Sequence, residues 1–351
     1  MNPNDLHPPA LSCGQRRRLG RTDIWLPALG LGGAGFGNLY RPIEDEAAIL
    51  AIRWALSEGI DYLDTAPHYG FGLSEKRLGE ALTGHDRSRV TLSTKVGRVL
   101  TPTKDADATR ARHGFYVSEP FEPTFDYSYD GVMESFESSL KRLRTDTIDI
   151  LLCHDLGELT HGADHTRRMS EFLGGGYRAM QSLRAEGRVR ALGIGVNEYE
   201  VCSALLPECE MDCVLLAGRY TLLEQGALTE LFELCTERHV SVIVGGPFNS
   251  GILASSSHAR DAHYNYEAPP THVVERVQRL ERVCSSFAVP MGAAALQFPL
   301  AHAQVASVIA GCSSVEEVRQ AKQWMTWPIP GELWRTLKDS NLLHPDAPVP
   351  A

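Results

Sequence analysis

Eight short apolar runs, each followed by an amphipathic segment, govern what this chain can become. The runs are 28–32, 60–64, 90–96, 148–154, 189–195, 213–217, 240–244 and 306–309, bounded by Gly, Pro or charged residues. Between them, apolar residues recur at spacings of three and four over 44–58, 74–82, 131–143, 177–186, 227–237, 271–286 and 314–324, which is the helical period. Alternating strand and helix demands parallel pairing, and strands apolar at nearly every position are covered on both faces. Eight such units predict an α/β chain closed into a (β/α)8 barrel of the TIM type. A short N-terminal β-hairpin, 17–19 and 24–26 around Gly20 and Arg21, precedes it.

Two longer segments break this rhythm, 100–127 after the third run and 254–270 after the seventh. Both follow strand C-termini, where barrel active sites are assembled, so these long loops are expected to wall the site with residues such as Tyr116, Tyr127, His263 and Tyr264. All 351 residues are expected to form one barrel domain with a core over 18–323, while 1–15 and 327–351 stay extended or frayed.

Charge narrows the partners. Lys plus Arg number 34 against 44 Asp plus Glu, a formal charge of −10, which is the wrong sign for neutralising phosphates in bulk and argues against nucleic acid. No run approaches the ~18 apolar residues of a membrane span. The eight cysteines, at 13, 153, 202, 209, 213, 235, 284 and 312, form no CxxC pair and are expected to be reduced thiols in the cytoplasm.

Gly30-Leu31-Gly32-Gly33-Ala34-Gly35 spells GxGxxG after a strand, with Asp61 or Asp64 as a conceivable ribose acid. A dinucleotide fingerprint places its last glycine inside the opening helix. Here Phe36, Gly37, Asn38 and Pro42 intervene before the helical pattern begins at Glu44. The glycines are expected instead to let the first barrel loop approach a ligand closely.

More telling are the ionisable ends of otherwise apolar strands. Asp64 ends 60–64, Lys95 ends 91–95 and His154 ends 150–154, while Tyr69 follows in Asp64-Thr65-Ala66-Pro67-His68-Tyr69-Gly70. Each alone has a bland explanation as a cap, a strand end or a core imidazole; together they converge on one rim. Lysine is almost never buried unpaired, so Asp64 is expected to hold Lys95 charged. The ammonium is expected to lower the Tyr69 phenol from its usual value of about 10, fitting it for proton transfer. His154 is placed to hydrogen-bond the same substrate oxygen. Without a nucleophile elbow or P-loop, the set suits proton transfer at an oxygen coupled to hydride transfer at its carbon, which requires a nicotinamide. Cys153 is expected to face the helices, since adjacent strand residues point to opposite sides. His161, Asp164 and His165 are expected to stay solvated rather than bind metal, and Arg16 to Arg18 to form a solvated face.

Over roughly 18–323 these residues resemble the aldo-keto reductase superfamily, whose Asp, Tyr, Lys and His tetrad matches Asp64, Tyr69, Lys95 and His154 in order. The resemblance implies a barrel that uses a nicotinamide dinucleotide without a Rossmann fold. Gly37-Asn38-Leu39-Tyr40, Phe125-Asp126-Tyr127-Ser128, Gly195-Val196-Asn197-Glu198, 217–223 and 246–251 further resemble the NAD-linked sugar 1-dehydrogenases. That group includes D-threo-aldose (L-fucose) dehydrogenases and the similar pyridoxal 4-dehydrogenases. Their implied chemistry takes hydride from a cyclic hemiacetal carbon to NAD+ and leaves a lactone.

By position, the resemblance implies that Tyr69 transfers the proton, Lys95 and Asp64 tune it, and His154 orients the substrate oxygen as a hydrogen-bond donor. Asn197 is implied to hold the nicotinamide carboxamide. Pro247, Phe248, Asn249, Ser250 and Gly251, with Gly311, Cys312 and Ser313, are implied to hold the dinucleotide. Ala217 stands near the family's usual Gln and Gly245 where many members place an aromatic, leaving Tyr220 as the candidate stacking ring. Glu316 and Glu317 would repel a 2′-phosphate, with Arg319 nearby, so NAD is expected over NADP. The alternatives are an NADPH-dependent aldehyde or ketone reductase, and a redox-sensing regulatory subunit. The expected partner is a small molecule, a sugar lactol or pyridoxal.

Overall fold

Successive residues of the short apolar strands point alternately into the barrel and out toward the helices, and both sets are buried. Ile150, Leu152, Leu215, Ile243 and Ile309 pack inside, while Leu151, Cys153, Leu192, Leu216, Val244 and Val308 pack outside among the helices. The computed structural model describes residues 15–104, 106–117, 119–254 and 263–350. Its barrel strands run Leu29–Gly32, Tyr62–Asp64, Thr91–Val96, Ile148–His154, Val189–Val196, Cys213–Ala217, Ser241–Gly245 and Val305–Gly311. Neighbours in sequence are neighbours in the closed barrel, every pairing is parallel, and the eighth strand returns to the first. All eight expected strands are present, with bounds shifted by up to two residues.

The hairpin Arg16–Arg18 with Trp25–Pro27 closes one end of the barrel. Its Leu19, Ile24 and Leu26 join the interior cluster, fully buried. Arg17 locks it in place, donating to the carbonyls of Leu300 (2.7 Å), His302 (3.1 Å) and Val305 (2.7 Å). At the opposite end, the insertion after the third strand forms a second hairpin, Arg98–Pro102 with Phe121–Phe125.

One expectation about the chain's organisation changes. Residues 327–351 are not simply extended: Gly331–Asp339 is a helix whose Leu333, Trp334 and Leu337 are buried. Its apolar residues fall at three- and four-residue spacing, and the flanking prolines mask that signal. Helical segments also fill 158–176, including a π-helical turn at Phe172–Gly176. Residues 1–14, with Cys13, and 255–262 of the second long loop lie outside the described residues. The seven described cysteines are free and buried, and Cys153 joins the outer cluster as expected.

His302 packs edge-on against Phe232, and its Nδ1 accepts from the Gln304 backbone N–H at 3.1 Å. Burial, then the Arg17 guanidinium, hold this imidazole down to about 4. The unfolded chain, with an ordinary value near 6.5, therefore binds more protons between pH ~6.5 and ~4, and stability must fall as pH falls through that window. The urea midpoint is expected to drop from pH 7 to pH 4.5, with a smaller drop in His302→Gln.

Candidate active site

Lys95 and Asp64 end adjacent barrel strands, and register makes them partners. Asp64 pairs with Ser93 and Lys95 with Leu152 across the parallel ladders. Lys95 is 1% exposed and Asp64 2%. Lys95 Nζ donates to Asp64 Oδ2 at 2.7 Å and to the Thr65 carbonyl at 2.8 Å. Ser93 Oγ donates its proton to Asp64 Oδ1 at 2.6 Å, so the Tyr62 hydroxyl, 3.2 Å from that oxygen, donates to Ser93. Every carboxylate oxygen is satisfied, the condition under which a buried ion pair is tolerable.

Tyr69 lies against this pair, with the ammonium 4.6 Å from its ring centroid. The phenol nevertheless stands well above its ordinary value, through burial first and then the Asp64 and Asp155 carboxylates, with Arg98 opposing. This corrects the expected downward shift: Asp64 neutralises the ammonium, so desolvation prevails. Tyr69 is held as a neutral phenol.

His154 stands edge-on to Tyr69, centroids 6.0 Å apart. Its Nε2 lies 3.3 Å from Asp155 Oδ2, which also accepts from Arg98 Nη2 at 2.6 Å. Burial and the Arg98 and Lys95 cations hold His154 well below its usual value, hence neutral. Asp155 adopts a left-handed φ of 50°, and the Tyr127 hydroxyl bonds the carbonyls of His154 (2.7 Å) and Asp155 (2.9 Å). Tyr127 is thus a fully buried brace and not the expected pocket wall. Arg98 and Asp155 are functional neighbours that sequence reasoning missed; the triplet Cys153-His154-Asp155 was their only trace.

A cavity of about 820 Å³ opens from Asp64 and Tyr69 toward the first turn of the helix Val315–Met325. Gly32, Gly33 and Gly35 line it, together with Gly245, Gly246, Pro247, Phe248, Ser250, Gly251, Gly311, Cys312, Ser313 and Glu317. Asn197 and His154 do not line it. Asn249 turns inward, donating Nδ2 to the Gly218 carbonyl at 3.0 Å, with its Oδ1 left unpaired. Tyr220 is fully buried against Phe232 and Phe298, which removes it as a stacking ring. Besides Tyr69, the aromatic rings on the cavity are Tyr40, Phe248, His263, Tyr266 and Trp324.

The first barrel loop shapes one wall. Arg77, 4% exposed, gathers it by donating to the Phe36 and Ile43 carbonyls, Asn38 Oδ1 and Asp45 Oδ1, at 2.7 to 2.8 Å. That loop carries Tyr40, stacked on His263 at 4.3 Å, and Arg41, which bonds Ser313 and Glu317. Tyr116 ties to Asn38 through its backbone, and Tyr264 donates to Glu224 away from the cavity. A Cβ on Gly37 would sit 2.5 Å from the Tyr69 carbonyl carbon, so backbone meets backbone beneath the phenol. No helix opens at Gly35 beyond the 3-10 turn Gly35–Gly37, as the reading of GxGxxG as a loop requires.

These features fit a nicotinamide dinucleotide. Glu317 Oε2 already accepts from Ser313 N at 2.7 Å and Ser313 Oγ at 2.8 Å. An anion therefore sits where backbone donors favour one. Among the described residues no group of three His, Cys, Asp or Glu is arranged to hold a metal. His161 instead contacts the Tyr127 hydroxyl and Asp164 pairs with Arg167.

Replacing Lys95 by Met leaves a buried carboxylate unpaired. This is expected to cost about 3–5 kcal/mol in urea unfolding, and Asp64→Asn added to it should recover part of the loss.

The Aldo/keto reductase family model matches residues 28–341. The pyridoxal 4-dehydrogenase of Microbacterium luteolum is 39% identical over 348 residues, covering 95% of this chain and 99% of that protein. The D-threo-aldose 1-dehydrogenase of a Pseudomonas species is 38% identical, covering 91% and 95%. The holo form of an aldo-keto reductase from Bacillus halodurans superposes with a TM-score of 0.71 at 28% identity, covering 94% of this chain and 96% of that one. With its barrel and its tetrad in place, the chain belongs to the aldo/keto reductase family and is an oxidoreductase acting on CH–OH groups.

Proposed function

We propose that this protein is an NAD-linked dehydrogenase, a single barrel domain working in the cytoplasm, that oxidises the hemiacetal carbon of an aldose of the L-fucose or D-threo type to the lactone. The observation that carries this reading is the convergence of Tyr69, the Lys95–Asp64 pair and His154, with Tyr69 and Asp64 themselves lining the inner end of a glycine-lined cavity. A bound nicotinamide supplies the hydride acceptor. Tyr69 takes the hydroxyl proton as the C–H bond breaks while it gives up its own, and the Lys95 ammonium against its ring stabilises the charge that develops during that transfer. Neutral His154 donates a hydrogen bond to the reacting oxygen and orients it. Tyr266, on the cavity wall, takes the stacking role that buried Tyr220 does not fill. Pro247, Phe248, Ser250, Gly251, Gly311, Cys312 and Ser313 line the dinucleotide's path, while Asn197 reaches the cavity through Tyr266, whose hydroxyl lies 3.5 Å from Asn197 Oδ1. The buried free thiols support a reducing compartment.

The 39% identity to a pyridoxal 4-dehydrogenase over nearly the whole chain favours a second substrate, pyridoxal. Its hemiacetal offers the same reacting carbon, and the rings of Tyr40, His263 and Tyr266 offer flat apolar walls.

Absorbance at 340 nm with NAD+ or NADP+ and a panel of L-fucose, D-arabinose, L-galactose and pyridoxal separates these readings. Sugar-dependent NADH formation is expected. Turnover of pyridoxal alone selects the second substrate, and NADPH consumption with simple aldehydes alone overturns both. Tyr69→Phe is expected to lower kcat by about 10²-fold or more while the dinucleotide still quenches protein fluorescence; activity within a few-fold of wild type rejects that role.

NAD preference is ascribed to Glu317, whose carboxylate holds the helix N-terminus and engages Arg41. Glu317→Arg is expected to tighten NADP+ binding in fluorescence titrations, and unchanged affinity rejects Glu317 as the discriminator.

A further inference from the structure

A row of imidazoles that the large cavity's lining does not include leads from Tyr69 to the surface. Ring centroids step from Tyr69 to His154 at 6.0 Å, from His154 to His68 at 6.1 Å and from His68 to His113 at 5.8 Å. Phe115 packs on His68 at 5.3 Å and Phe71 on His113 at 5.9 Å, walling the row with apolar rings. His154 is 6% exposed, whereas the His113 side chain is 49% exposed. The row ends where His113 Nε2 meets Glu122 Oε1 at 2.5 Å.

Two of these rings carry an unused nitrogen. Nδ1 of His154 and Nδ1 of His68 are buried and bond no protein group. A buried polar atom without a partner is costly, and a water that bridged successive rings would remove that cost while joining them. The charged groups around the row are Arg98, Asp155 and Lys95 at its inner end, and Arg112 and Glu122 at its outer end. Burial and Arg98 hold both inner imidazoles below their usual value. Each is therefore neutral near pH 7, with one nitrogen to accept a proton and one to pass it on.

We propose that His154, His68 and His113 form a proton conduit from Tyr69 to solvent at Glu122, with His68 and His113 acting through Tyr69 rather than on the substrate. The inference rests on the dehydrogenase reading above. Oxidising a CH–OH carbon sends a hydride with its two electrons to the bound dinucleotide and leaves one proton, from the broken O–H bond, for the protein to discharge. Tyr69 receives that proton while its own passes to Nε2 of His154, whose Nδ1 proton moves on toward His68 as one proton leaves at Glu122 per turnover; the Nε2–H is then the donor to the carbonyl oxygen that the oxidation forms. The same row runs inward during reduction.

His113 tests the idea, being exposed and absent from the cavity's lining. In dilute buffer, His113→Ala is expected to lower kcat about tenfold with KM unchanged, and added imidazole is expected to restore it. A kcat within twofold of wild type, or a loss that imidazole leaves untouched, overturns the conduit, since a merely structural defect is not repaired by a small base. The cofactor-free protein gives a second readout. With 15N-labelled histidine, His68 and His154 are expected to be neutral at pH 7, and their ring N–H exchange with water to slow several-fold in His113→Ala. An imidazolium at His68, or unchanged exchange, overturns the conduit even where no panel substrate turns over, an outcome that by itself counts against the dehydrogenase reading.

Discussion

An ammonium and a carboxylate removed from water at the mouth of a barrel set the terms for everything around them. Lys95 and Asp64 are tolerable there only because the second and third strands hold them 2.7 Å apart and Ser93 and Thr65 absorb their remaining hydrogen bonds. The barrel supplies that precision cheaply: each residue ends a strand whose neighbours fix its height and direction. Loss of the closed sheet would expose the pair to water and weaken the charges that act on Tyr69.

A second ion pair, Arg98–Asp155, stands beside His154 as Lys95–Asp64 stands beside Tyr69. Desolvation leads at both: with the Asp64 and Asp155 carboxylates it holds the phenol up, and with the Arg98 and Lys95 cations it holds the imidazole down. The result is two neutral groups side by side, ring centroids 6.0 Å apart. The hairpin inserted after the third strand delivers Arg98 and Phe125, its continuation delivers Tyr127, and the guanidinium lies 4.4 Å over the Phe125 ring. What looks like a substrate loop is in part a scaffold for His154.

How much of this was legible in the sequence follows from how local each signal is. Strand alternation and polar strand ends are local, so the barrel, Asp64, Lys95 and His154 could be read directly. The helix Gly331–Asp339 hid between prolines, and the short helix Glu200–Leu205 had too few turns for a periodic pattern. Arg41, Arg77, Arg98 and Asp155 act through partners that only folding brings near; nothing in spacing announces that Arg77 will gather a loop some forty residues upstream. Tyr127 and Tyr220 misled because an aromatic in a connecting segment reads equally as pocket wall or buried brace. The direction of the Tyr69 shift is set by complete burial of the phenol, which no local pattern in the sequence reveals.

The contact of Gly37 with the Tyr69 backbone gives the site a fixed half and a variable half. Main chain lies on main chain there, with Gly70 returning the contact at a φ of 64°. The phenol's height is therefore set by peptide geometry rather than by any side chain that mutation can enlarge or trim. Across the cavity, the walls are built from rings and loops whose residues can be exchanged one at a time. A lineage, or an engineer, can redraw the cavity's outline on that side repeatedly while Tyr69 keeps its place.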